Sequence, residues 1–276
     1  MEKDQEDHPA YAAPVRLAFR VSYLGSQFFG SQMQAADRTV EGEFVAACQR
    51  LSLFSDWREA GFLFAGRTDR GVHATGQVAV LSTTAPERAI KAINTQLPPD
   101  CWCTGYSDVP PAFHPRYDAR ARTYRYYFSL QPAHPDAMAH ASGRFVGTHN
   151  FTNFARREGR NPYRKILSAR IGKNGEYLFF EVTAESFLWH QVRCMAAALL
   201  RIGDGEEGED SIDILLTSEA DRPLQTAKAE GLVLWDTDCG ISWTPIPCIE
   251  RSTGFLDQLI RHHSLMEKVC RTIRPG

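Results

Sequence analysis

One order of elements runs twice through this chain, strands of period two alternating with helices of period about 3.6, and it constrains the fold more than any other feature. Leu17, Phe19, Val21 and Tyr23 alternate with Ala18, Arg20 and Ser22, the pattern of a half-buried strand. After a loop over 25–37, Thr39 can cap a helix and Glu41 suits its positive end, while Val40, Phe44, Ala47, Cys48 and Leu51 share one apolar face. Strands are predicted over 62–66, 77–82 and 101–107, and a second helix over 86–97. The second half repeats this order loosely. A strand at 123–130 precedes a short helix or loop at 145–154, then a hairpin over 165–182 turning at Asn174 and Gly175, a pair suited to a type I′ turn. Leu188, Val192, Met195, Ala196, Leu199 and Ile202 then line one face of a strong helix that Gly203 can terminate. A strand over 231–238 closes the set, and the tail from Ser252 reads as a final helix. The expectation is an α+β protein of two similar halves, 15–110 and 111–276, whose sheets join with a cleft between them. Residues 1–14 are expected to be a disordered tail.

Composition narrows the class. With 43% hydrophobic residues the chain can bury a large core, yet no stretch approaches the roughly 20 apolar residues that span a bilayer. The first seven residues are acidic where a secretory signal is basic and then apolar, so a cytoplasmic protein is expected. The seven cysteines are scattered and include no C-x-x-C pair, which predicts reduced thiols. Cys101 with Cys103, and His190 with Cys194, have ligand-like spacing, but no second pair completes either, so no metal is expected. The net charge is only −2, but its distribution is uneven: 111–170 holds ten Arg and one Lys against three acids, a net of +8. A basic segment of that density suits a polyanion.

Three fragments carry chemistry. The first is 65–74, AGRTDRGVHA, a polar, glycine-punctuated loop after an apolar strand, with Asp69 at its centre. Asp69 is either a carboxylate displayed on a rigid support or the first residue of a turn closed by Gly71. The second, 113–128, interleaves Arg116, Arg120, Arg122 and Arg125 with Tyr117, Tyr124, Tyr126 and Phe128. Arginines hold phosphates and tyrosine faces stack on unpaired bases, although the same aromatics could equally face a core. The third, 184–195, sets Arg193 in the opening turns of an apolar helix beside Trp189, where its head needs a carboxylate partner or a path to solvent.

Together these fragments resemble the tRNA pseudouridine synthase A (TruA) family, from about Val15 to Ser242. The resemblance is carried by YLGSQFFGSQ at 23–32, RTVEGE at 38–43, GRTDRGVHA at 66–74, the aromatic strand within 113–126, FLWHQVR at 187–193 and AEGLVL at 229–234. Ser31 stands where the family often has tryptophan, and Arg70 where it often has alanine. The resemblance implies the pseudouridine synthase fold, two ferredoxin-like (RRM-like) halves joined through a mixed central sheet. It implies an isomerase that detaches uracil from ribose and reattaches it through carbon, with no cofactor and no metal. Asp69 would be the catalytic nucleophile, Arg193 its ion-pair partner, and Tyr124 the residue stacking on the target base and assisting proton removal. Arg67 would fill the space the flipped base leaves, with Arg116, Arg122 and His73 as further substrate contacts. The implied partners are the tRNA anticodon stem-loop and a second copy of the chain, with no membrane. A non-catalytic RNA-binding protein of the same fold is the alternative; it would need the basic-aromatic strand but neither Asp69 nor Arg193.

Overall fold

A computed structural model describes residues 13–129, 131–156, 159, 161–217 and 225–275. Most of the tail expected at 1–14 lies outside the described residues; Ala13 and Pro14 are exposed coil. The first half runs β1 (Val15–Tyr23), α1 (Val40–Arg50), β2 (Leu63–Phe64), β3 (His73–Thr83), α2 (Pro86–Gln96) and β4 (Cys101–Asp108). The second runs β5 (Ala121–Tyr127), α3 (Pro135–Gly143), β6 (Gly147–Asn150), β7 (Tyr163–Asn174), β8 (Tyr177–Ala184), α4 (Gln191–Gly203), α5 (Ser211–Thr217) and β9 (Leu232–Asp238). A short β10 (Thr244–Pro245) and a long α6 (Glu250–Ile273) follow.

The sheet order is β10-β4-β1-β3-β9-β5-β8-β7-β6, with β2 pairing β3 off this path. Read as β4-β1-β3-β2 and β9-β5-β8-β7, each half is a βαββαβ unit of the ferredoxin type, internally antiparallel. The halves meet through one parallel pairing, β3 with β9, at His73↔Val233 and Ala74↔Leu234. Phe19, Phe44, Phe62, Ile93 and Leu97 fill the core of the first half, and Phe145, Phe151, Phe154, Phe180 and Leu199 that of the second. Tyr124 packs against both.

The local patterns formed as expected where one face decides them. In α1, the Thr39 side chain accepts the Gly42 N–H at 3.2 Å, and Val40, Phe44, Ala47 and Cys48 are buried. Differences arise where tertiary pairing overrides pattern. β3 begins at His73, four residues before the expected strand, because β9 pairs with its polar start and the Thr75 hydroxyl donates to the Trp235 carbonyl at 2.7 Å. The expected helix or loop at 145–154 is instead β6 followed by a 3-10 turn over Thr152–Phe154. The β7–β8 hairpin pairs Asn174 with Tyr177, so Gly175 and Glu176 are its central residues. Only Gly175 has positive φ, +59°, which fits a type II′ turn and not the type I′ turn expected at Asn174 and Gly175. After β9 the chain returns to the first half: β10 pairs with β4, and the Arg251 guanidinium donates to the carbonyls of Asn94 and Leu97.

Candidate active site

The loop bearing Asp69 joins β2 to β3, beside the strand that unites the halves. Its residues alternate: Arg67 is exposed, Thr68 buried and Asp69 partly exposed. Thr68 is the anchor. Its N–H donates to Ser31 Oγ at 2.8 Å, its carbonyl accepts the Ser31 N–H at 3.0 Å, and its hydroxyl lies 2.8 Å from the Tyr23 hydroxyl. Ser31 is fully buried and holds the loop through both its hydroxyl and its backbone N–H. Ser31→Ala should leave the buried Thr68 N–H without its acceptor, at a cost of about 1–3 kcal/mol. The expected outcome is a Tm lower by several degrees with a smaller loss of activity, read by thermal melting beside turnover.

Both sequence readings of Asp69 hold at once. Its carbonyl accepts the Val72 N–H at 3.1 Å, closing a turn whose third residue, Gly71, has φ +83°, as a type II turn requires. The backbone makes the turn, which leaves the carboxylate free. That carboxylate meets the N-terminal turn of α4. Trp189 Nε1 donates to Oδ1 at 3.0 Å, while Arg193 Nη1 and His190 Nε2 lie 3.3 and 3.2 Å from Oδ2. The Arg193 side chain is only 14% exposed and is held by a second bond from its Nε to the Ala227 carbonyl at 2.7 Å. The burial that made Arg193 conspicuous in the sequence is thus answered by Asp69.

Tyr124, on β5, stands edge-on to Phe187 with ring centroids 5.2 Å apart. Burial, reinforced by the Asp69 charge and opposed by Arg122, pushes its phenol up to about 12, so it stays protonated at neutral pH. The other basic candidates divide. Arg122 donates to the carbonyls of Ala65, Arg116 and Glu185 at 3.0, 2.9 and 2.9 Å, bracing the base of the Asp69 loop from the second half. His73 accepts the Gly25 N–H at Nδ1, 2.9 Å away, and points Nε2 at the Glu230 carbonyl, 3.1 Å away. Burial lowers its pKa, so this bridge is a neutral imidazole with both nitrogens engaged. Arg116 and Arg67 are exposed, and Arg67 makes no hydrogen bond or ion pair among the described residues. Arg70 lays its guanidinium over the Phe29 ring at 4.1 Å, forming an exposed cation–π pair next to Asp69.

Sequence reasoning missed Trp189 and His190 as partners of Asp69. The FLWHQVR fragment contained both, but helical spacing alone turns neighbouring residues apart. Among the described residues no group of three or more His, Cys, Asp or Glu side chains could hold a metal.

Known proteins resemble this chain along most of its length. A family model described as tRNA pseudouridine synthase matches residues 20–118 and 141–238. A tRNA pseudouridine synthase A of Methanoculleus marisnigri is 54% identical over 92% of this chain and 94% of its own length. Those of Methanosphaerula palustris and Methanosarcina acetivorans are 50% and 34% identical, each over 92% of this chain and over 91% and 97% of their own lengths. A chain from a Cbf5–Nop10–Gar1 complex aligns at TM-score 0.35 and 14% identity, covering 72% of this chain and 50% of that one. With the family model spanning both halves and relatives matched over nearly their full length, the chain belongs to the tRNA pseudouridine synthase A (TruA) family.

Proposed function

We propose that this protein converts uridine to pseudouridine in the anticodon stem-loop of tRNA, with Asp69 as the nucleophile. The observation that carries the reading is the carboxylate itself: partly exposed, on an anchored loop, accepting from Trp189 and Arg193 and with the His190 ring 3.2 Å away, all at the start of α4. In the isomerisation the N1–C1′ bond breaks, a C5–C1′ bond forms, C5 loses a proton and N1 gains one. No electrons are exchanged, so the balance needs no redox partner. Oδ2 has both Arg193 Nη1 and His190 Nε2 within 3.3 Å whereas Oδ1 meets only Trp189, which leaves Oδ1 the less crowded oxygen for attack at the sugar. Arg193, 3.3 Å from Oδ2, offsets the charge of the carboxylate as RNA excludes water. Tyr124 offers its ring to the flipped base and its protonated hydroxyl as a hydrogen-bond donor.

Arg122 and His73 act through the loop they brace, whereas Arg116, Arg67 and Arg70 are free to meet phosphates and bases. We also read the working form as a homodimer in the cytoplasm, where tRNA is found. Among the described residues no helix is long and apolar enough to cross a membrane. Exposed apolar side chains on α6, among them Leu265, Met266 and Val269, offer a surface for the second copy.

Incubating the purified protein with an unmodified tRNA transcript and mapping pseudouridine should find new sites confined to the anticodon stem-loop. Binding without any conversion would leave the non-catalytic alternative; conversion elsewhere would overturn the stem-loop assignment. Arg67 supplies a sharper test. A stem uridine must leave the stack, which costs a few kcal/mol, and a guanidinium plane can occupy the vacated space where an ammonium cannot. Arg67→Lys should therefore lose most activity on a paired target, and a mismatch opposite that target should restore the variant more than it helps the wild type. Equal loss on both substrates would assign Arg67 to the chemical step or to holding the loop.

A further inference from the structure

Two turns face each other across Asp69. In one, Gly71 supplies the positive φ of +83°. In the other, the Leu188 carbonyl accepts the Gln191 N–H at 3.2 Å, and the residue in the corresponding third place is His190, with φ +64°. A histidine in the left-handed region is strained where glycine would be at ease, and such strain persists only where the surroundings enforce it. What the strain achieves is visible in the side chains. In a regular helix adjacent residues point in different directions, yet Trp189 and His190 lie side by side, ring centroids 4.8 Å apart, and both reach the same carboxylate.

We propose that His190 is a positioning residue for the reaction: its left-handed backbone brings Trp189 and its own imidazole onto the Asp69 carboxylate, Nε2 closing on Oδ2 beside Arg193 and leaving Oδ1 for the sugar. The inference rests on the reading of Asp69 as nucleophile. Nε2 lies 3.2 Å from Oδ2 as a polar contact and not an aligned hydrogen bond, and the ring carries its proton there, since a bare lone pair would repel the carboxylate. The other nitrogen, Nδ1, is buried with no hydrogen-bond partner, so an added proton there would find no acceptor. Burial lowers the His190 pKa, as do Arg193 and Arg156, against the opposing pull of Asp69, so the donor is a neutral imidazole. Its side chain is only 12% exposed.

His190→Gly and His190→Asn test this, because both residues accept left-handed backbone and neither can set a donor at the Nε2 position. The expected result for both is a kcat lower by about 10- to 100-fold, the range for losing a close polar contact to a charged group. tRNA Kd should stay within about two-fold, and Tm should be equal to or higher than that of the wild type. The loss should fall on kcat with KM unchanged, a split that a merely structural role would not produce. A kcat within about three-fold of wild type would overturn the proposal, leaving the histidine a turn residue. So would a lost kcat accompanied by weakened tRNA binding and a lower Tm. Asp69→Asn run alongside separates the two levels: an active Asp69→Asn fails the nucleophile reading, whereas an inactive Asp69→Asn with a fully active His190→Gly fails only the role of His190.

Discussion

Arg193→Met is expected to lower kcat by roughly 100-fold or more while leaving the fold intact, since methionine matches the length of the aliphatic stem and suits the apolar helix around it. Arg193 supplies the one permanent positive charge in hydrogen-bond contact with Asp69, at 3.3 Å, and sits 14% exposed beside a carboxylate 29% exposed. Removing one partner of such a pair leaves the other desolvated without compensation, a penalty of about 3 kcal/mol or more when burial is deep. The remaining donor, Trp189, and the nearby His190 ring are neutral and cannot replace the charge. The loss should appear in kcat, with tRNA Kd held within a few-fold because the exposed RNA surface is unchanged. A kcat for Arg193→Met within about three-fold of wild type would mean that the pairing does not support the chemistry of Asp69.

Much of the fold was legible because its causes are local. The alternation at Leu17, Phe19 and Val21, the Thr39 cap and the apolar face of α4 each report a buried side directly. α3 and α5 went unrecognised: α3 is the weakly amphipathic PDAMAHASG, buried through Met138, Ala141 and Ser142, and α5 follows an acidic run that reads as loop. What buries them is the rest of the second-half core, which no short window contains.

At the site, Asp69 and Arg193 were legible because a displayed carboxylate and a buried guanidinium each need an explanation, and one explains the other. Trp189 and His190 were not. Their convergence depends on a single left-handed residue, and nothing in the identity of a histidine announces positive φ. Arg122 and His73 show the converse: the sequence displays their donors and acceptors but not that backbone groups of Ala65, Arg116, Glu185, Gly25 and Glu230 engage them. Arginine near RNA chemistry invites a phosphate, and only the fold shows which ones are already bound.

Asp69→Asn bears on the central claim most directly, because it removes the nucleophilic charge and almost no volume from a loop whose anchors, Thr68, Ser31 and Tyr23, are untouched. The amide oxygen can accept from Trp189 or from Arg193 but not from both, since they use different oxygens of the carboxylate; the loop anchors and the exposed RNA surface are unchanged, so tRNA binding should survive. Forming pseudouridine expels the hydrogen on C5, so a transcript tritiated there releases one tritium to water for each uridine converted. Measured beside tRNA Kd, the wild type should release tritium in step with pseudouridine formed. Asp69→Asn should bind tRNA within a few-fold and release tritium at least roughly 10⁴-fold more slowly. Tritium release by Asp69→Asn near the wild-type rate would contradict the account.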